Sequence, residues 1–196
     1  MNDAPLTRPH ILDVIQESAA RLGFRMSCEE RTGALLATLA ASKPGGRFLE
    51  IGTGVGAGAA WMASGMDASS RLTTIEFNPG LHAAAAVTFF DDPRVELVCA
   101  DASEWLREYD GEPFDLAFVD WRPGKFYQLD TLLNLLAPGG LYVVDDLLPQ
   151  DTWPENHPER VDQFLEAWPR AGMVATPMSW ASGLLVAAKT ASARIP

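Results

Sequence analysis

The sequence predicts an α/β fold: a mostly parallel, seven-stranded sheet with helices on both faces and an antiparallel last strand. Three observations carry this. From residue 47 to residue 145, short apolar runs alternate with segments of helical period, the pattern of strand–crossover–strand units. The first run, RFLEI, breaks into a turn with glycine at every second position, Gly52, Gly54 and Gly56, where a strand can pass into a helix through positive φ. The last two strand-like runs, 173–178 and 183–189, are joined by too few residues for a crossover helix and must pair antiparallel.

The elements follow in order. Apolar spacing in HILDVIQESAARL (residues 10–22) and EERTGALLATLAA (residues 29–41) fits two helices, separated by GFRMSC with its Gly23 stop and Ser27 cap. They form a flank or lid over residues 1–42. After Lys43-Pro44-Gly45-Gly46 the pattern predicts strand 47–51, helix 56–64, strand 71–76, helix 79–90, strand 95–98, helix 102–108, strand 115–120, helix 125–136, strand 140–145 and a helix near 158–168. The α/β core thus runs from 43 to 189, and residues 190–196 are expected to fray. At 196 residues and 47% hydrophobic, the chain suits one well-buried domain.

Composition narrows the partners. Acids outnumber bases 26 to 15, a formal charge of −11, which argues against nucleic acid because phosphate binding draws on clustered Lys and Arg. No stretch offers enough uncharged apolar residues to span a bilayer, and the start MNDAPLTRPHILDVIQ has neither a basic region nor an apolar h-region. Cys28 and Cys99 fall in different elements and read as reduced thiols, so a cytoplasmic location is expected. The three histidines, His10, His82 and His157, are scattered and define no zinc site.

The glycine turn reads as a nucleotide cradle, and the next strand ends in Glu76, whose carboxylate could accept both hydroxyls of an adenosine ribose. Gly52, Gly54 and Ala57 also satisfy the dinucleotide pattern G-x-G-x-x-G/A, so the turn alone leaves NAD open. Glu50, one residue ahead of the turn's Ile51, sits awkwardly beside a pyrophosphate but suits a ligand carrying an ammonium and a sulfonium. The Tyr-x-x-x-Lys of short-chain dehydrogenases is missing: Leu39, Trp121 and Leu185 stand four residues before Lys43, Lys125 and Lys189. The balance favours S-adenosylmethionine.

Together with VCADASEWL (residues 98–106), FDLAFVD (114–120) and LLAPGGLYVVDDLL (135–148), these motifs make the chain resemble the class I S-adenosylmethionine-dependent methyltransferases, most of all the small-molecule O-methyltransferases that include the catechol and caffeoyl-CoA enzymes. The resemblance spans roughly residues 26–189 and implies a Rossmann-like methyltransferase fold. It implies that Glu50, Gly52, Thr53, Gly54 and Gly56 hold the methionine side of the cofactor. Gly58 stands where many relatives close the loop with a serine, Glu76 and Phe77 would take the ribose, and Asp101-Ala102 would border the adenine. It further implies a small-molecule acceptor and homodimerisation.

Methyl transfer is an in-line displacement that needs a held acceptor and a deprotonated nucleophile. Three acids at expected strand ends, Asp120, Asp145 and Asp146, offer hard oxygens for Mg²⁺ or Ca²⁺, which would lower the pKa of a bound hydroxyl. In the resembling family these positions are Asp, Asp and Asn, so Asp146 departs from the pattern. Asp120 is also placed beside the methionine ammonium. The family's general-base lysine corresponds to Lys125, which Pro123-Gly124 displaces toward the start of a helix. Trp121 and Trp153 are candidates for an aromatic acceptor wall, and Met26 and Ser27 for an approach from the helical flank. Two rivals stay open from the sequence: a nicotinamide-dependent oxidoreductase, and a cofactor-binding regulatory domain without chemistry.

Overall fold

The computed structural model describes residues 3–151 and 153–191. Two helices, α1 (Ile11–Leu22) and α2 (Glu30–Ala41), precede the alternating core of β1 (Arg47–Ile51), α3 (Ala57–Gly65), β2 (Arg71–Glu76), α4 (Pro79–Thr88), β3 (Val95–Cys99), α5 (Ala102–Glu108), β4 (Phe114–Val119), α6 (Leu129–Asn134), β5 (Leu136–Val144), α7 (His157–Glu166), β6 (Met173–Met178) and β7 (Leu184–Lys189). The seven strands order as β3-β2-β1-β4-β5-β7-β6. The five strands β1 to β5 run parallel, and β7 inserts antiparallel between β5 and β6. The short connection between β6 and β7 permits only that reversal.

Period-two alternation along each strand sends side chains to opposite faces. Leu49 and Ile51 of β1 join the core built with α5, α6 and α7, whereas Phe48 packs with α1, α2, α3 and α4 on the other face. Glu50 shares that second face, which brings a carboxylate against α3 in an otherwise apolar layer. Small residues let the layer close: a Cβ at Gly33 would fall 2.0 Å from Trp61 Cδ1, and one at Gly65 would fall 2.0 Å from the Ala37 carbonyl oxygen.

Two expected boundaries differ. The helix expected at 125–136 is only α6, because Pro123-Gly124 forms a tight turn with Gly124 at φ 79° and Gln128 sits left-handed just before the helix. β5 begins at Leu136, four residues early, since pairing with β4 resumes across Pro138-Gly139-Gly140 by way of a register shift, with Gly139 at φ 77°. Both cysteines are free thiols. Among the described residues no helix is long and apolar enough to cross a membrane. Of the tail expected to fray, residues 192–196 lie outside the described residues.

Candidate active site

Parallel strands deliver their carboxyl ends to one edge of the sheet, and a cavity of about 490 Å³ opens there. It collects residues from β1, β2, β4 and β5, the 24–29 segment, the 121–127 turn and α7. Gly52 and Gly54 hold positive φ of 99° and 56°. A Cβ at Gly52 would press on the Asp120 main chain at 3.2 Å, and one at Gly54 would meet the Phe24 ring at 2.9 Å, so bare backbone faces the cavity at both points. Gly56, at φ 100°, does not line the cavity. It caps α3 and donates its amide to the Thr53 carbonyl, shaping the turn from behind.

Glu50 is 1% exposed. It accepts from Thr74 Oγ1 at 2.5 Å, and Thr74 in turn meets Thr53 Oγ1 at 2.6 Å. Burial pushes its carboxyl up to about 8, with the Thr74 bond opposing and the Glu76 charge adding to the rise. Gly58 explains itself here: a Cβ would lie 2.2 Å from Glu50 Oε1, so the acid occupies the space a serine side chain would need. Glu76 is braced by two amides, Gly54 N to Oε2 and Asn78 N to Oε1, each at 2.8 Å. Each oxygen keeps a lone pair for a further donor. Phe77 and Ala102 line the same wall, as does Asp101, whose Oδ1 caps α5 through Ser103 N at 2.7 Å.

The strand-end acids and Lys125 meet at the far end of the turn. Lys125 is 4% exposed, and its Nζ donates to the carbonyls of Asp145 at 2.7 Å and Asp146 at 3.2 Å. The expected displacement of Lys125 toward a helix start is corrected: Tyr142 Oη donates to the Gly124 carbonyl at 2.8 Å, pins the Pro-Gly turn to β5, and swings the lysine inward. Burial lowers the Lys125 pKa against the opposing pull of Asp146, Asp120 and Asp145. Burial likewise raises the carboxyls of Asp120, Asp145 and Asp146; repulsion from Asp145 and Asp146 adds to the rise at Asp120, and at Asp145 the Ser182 hydrogen bond opposes it while the Asp146 charge adds to it. Asp146, two residues past the end of β5, sits at φ 60°, a left-handed position that Asp tolerates better than most residues.

Part of this donor set is already engaged within the chain. Asp145 Oδ1 is engaged by Ser182 Oγ and by the Asp146 amide, and an ammonium already sits on the two strand-end carbonyls. Among the described residues no three of His, Cys, Asp and Glu stand as a metal-holding group. The expectation of Mg²⁺ or Ca²⁺ on Asp120, Asp145 and Asp146 therefore finds no support in the geometry.

Several cavity residues have no signature in the sequence. His157 arrives from the first turn of α7, with its ring 4.3 Å from Trp153 and edge-on to Phe126 at 5.0 Å. Ser182 comes from the β6–β7 hairpin, which Trp180 Nε1 ties to the Arg31 carbonyl. Cys28 faces the acids from the 24–29 segment, where burial pushes its thiol well up. Met26, Ser27, Trp121 and Trp153 all line the cavity.

A seven-stranded sheet ordered 3-2-1-4-5-7-6, with an acid ahead of a glycine turn and a second acid ending the next strand, defines a Rossmann-like methyltransferase architecture. Residues 49–147 match the methyltransferase-domain family, and the chain belongs to that family. A candidate O-methyltransferase of Mycobacterium avium (strain 104) is 32% identical over 149 residues, 72% of this chain and 66% of the relative. Another, from Mycobacterium sp. (strain JLS), is 35% identical over 117 residues, 57% of this chain and 53% of the relative. The chain thus spans about half to two thirds of the length of these curated relatives. Among solved structures, the O-methyltransferase TomG of Streptomyces achromogenes, involved in tomaymycin synthesis and bound to S-adenosylmethionine, superposes with a TM-score of 0.82 at 25% identity, covering 94% of this chain and 91% of its own. The Bacillus cereus O-methyltransferase in complex with S-adenosylhomocysteine shares the fold at a TM-score of 0.78 and 22% identity, covering 94% of this chain and 92% of its own.

Proposed function

We propose that this chain transfers the methyl group of S-adenosylmethionine to a hydroxyl of a small aromatic acceptor. The observation that carries the reading is the buried Glu50 beside the glycine turn, in a member of the methyltransferase-domain family. A carboxyl held up to about 8 by burial is mostly protonated near neutral pH, and the donor's ammonium draws it into the charged form. Gly52, Thr53, Gly54 and Gly58 offer close backbone to the methionine end, with Gly56 setting the turn. The two free lone pairs of Glu76 receive the ribose hydroxyls, while Phe77, Asp101 and Ala102 border the adenine. Similarity to structures bound to S-adenosylmethionine and S-adenosylhomocysteine supports this seating.

In this reading the acceptor oxygen attacks the methyl carbon in line with sulfur. The carbon–oxygen bond forms as the carbon–sulfur bond breaks, sulfur keeps the electron pair, and the hydroxyl proton leaves to solvent or a neighbouring base. Asp120 stands beside the methionine ammonium, and the Lys125 ammonium favours the deprotonated acceptor oxygen by charge. No step runs through a metal. The test is a direct one: purified protein incubated with methyl-labelled S-adenosylmethionine and a panel of hydroxylated aromatics should yield labelled ether and S-adenosylhomocysteine in equal amounts. Cofactor binding without label transfer to any panel member would refute it in favour of a regulatory role.

A further inference from the structure

Asp120, Asp145 and Asp146 share the cavity with Lys125, yet the lysine belongs to none of the ion pairs of the described residues. Its Nζ rests instead on the main-chain carbonyls of Asp145 and Asp146. A carboxylate in direct contact would neutralise the charge that favours the acceptor oxygen. Asp145 is the acid placed to do this, being buried and bearing the carbonyl that Nζ holds more closely. Its Oδ1 is occupied elsewhere, by Ser182 Oγ and by the Asp146 amide.

Ser182 is itself buried, on the link between β6 and β7, and that link is fixed on two sides. The Ser182 carbonyl accepts from Leu148 N at 2.8 Å and the Gly183 carbonyl from Leu147 N at 3.0 Å, which staples the hairpin to the residues just past the acids. On the other side Trp180 Nε1 donates to the Arg31 carbonyl at 3.0 Å, and the Arg31 guanidinium lies over the Trp180 ring at 5.8 Å. Between these anchors Ala181 is held at φ 52°, a left-handed backbone that a non-glycine residue keeps only where its surroundings enforce it. The serine hydroxyl is thus presented to Asp145 by a braced turn.

Resting on the methyl-transfer reading above, we propose that Ser182 is a positioning residue for Lys125: its hydroxyl holds the Asp145 carboxylate off the ammonium, which stays on the Asp145 and Asp146 carbonyls with its charge open to the acceptor oxygen. Without the hydroxyl, the buried Asp145 carboxylate keeps a single amide donor, and a buried charge left short of partners is costly. The ammonium in the same pocket is the available compensation. Pairing with it draws Nζ away from the carbonyls and spends its charge on the protein.

The test has two arms. In kinetics at saturating donor, Ser182→Ala should lower kcat by about tenfold, the scale of one hydrogen bond, with the KM for donor unchanged. In a Lys125→Met background the same substitution should cost nothing further, because a residue acting through the ammonium has nothing left to position. The second arm needs no acceptor. In protein carrying ¹⁵N-labelled lysine and saturated with S-adenosylhomocysteine, the buried Lys125 ammonium should give a slowly exchanging proton–nitrogen NMR signal, assigned by its loss in Lys125→Met. Ser182→Ala should shift or broaden that signal while leaving that of Lys189, buried on the Leu133 and Leu136 carbonyls, in place. Added to Asp145→Asn, which removes the competing charge, Ser182→Ala should move the Lys125 signal no further. An unmoved Lys125 signal in Ser182→Ala, a retained kcat, or a cost that adds in full to that of Lys125→Met would overturn the inference. Absence of methyl transfer by wild-type protein would count against the transfer reading alone, since the NMR arm still decides whether Ser182 holds Asp145 off the lysine.

Discussion

Glu50→Gln replaces a buried carboxyl by a neutral group of the same shape, and the structure fixes the sign of the result. The carboxyl is raised from its ordinary 4.5 to about 8, chiefly by burial. A folded-state pKa above the unfolded one means that the folded chain holds the extra proton between those values. Stability from this group is therefore full below about pH 4.5 and is lost as pH rises through about 8. A shift of that size corresponds to roughly 5 kcal/mol as an upper bound for a fully buried group. For a chain of this length that is a divergence on the order of 10 °C in melting temperature. Thermal melts of ligand-free wild type and Glu50→Gln across pH 5 to 9 are the assay: wild type should lose ground steadily to the variant as pH rises. Parallel melting curves would refute the reasoning, because the carboxyl would then carry no excess proton. The donor's ammonium should also expel that proton on binding, so wild type should release about one proton per S-adenosylhomocysteine bound near pH 7, and the variant none.

Two further substitutions probe the acceptor end and the scaffold. Lys125→Met removes the ammonium from the Asp145 and Asp146 carbonyls. It should lower kcat by about 10²-fold or more while donor affinity changes little, and steady-state kinetics at saturating donor would contradict this if kcat held. Gly65→Ala drives a methyl into the Ala37 carbonyl, main chain that cannot rotate away. The α2–α3 contact must open, at about 1–3 kcal/mol, which a thermal melt would read as a loss of several degrees and an unchanged melt would dispute.

The fold was legible because α/β order is a local property. Apolar runs alternating with helical segments announce parallel strands, and the short link before Leu184 leaves the terminal pair no choice but reversal. The errors sit where glycine and proline carry two meanings. Pro138-Gly139-Gly140 reads as a turn yet continues β5, and Pro123-Gly124 reads as an interruption yet builds the turn that Tyr142 pins. The carboxyl-edge residues were readable for the same reason as the strands, since a parallel sheet sends every strand end to one rim. His157, Ser182 and Cys28 reach that rim from α7, a hairpin and the segment between α1 and α2, through packing that no spacing encodes. The position of Lys125 was misjudged because its fate depends on a hydroxyl 17 residues further on.

The account stands on the glycine turn and its two acids holding a charged methyl donor. Isothermal titration of purified protein with S-adenosylhomocysteine, and separately with NADH, addresses that without reference to any acceptor. The expected result is one S-adenosylhomocysteine site per chain, abolished by Glu76→Ala, and no heat from NADH. Silence with S-adenosylhomocysteine, or saturable binding of NADH, would contradict it.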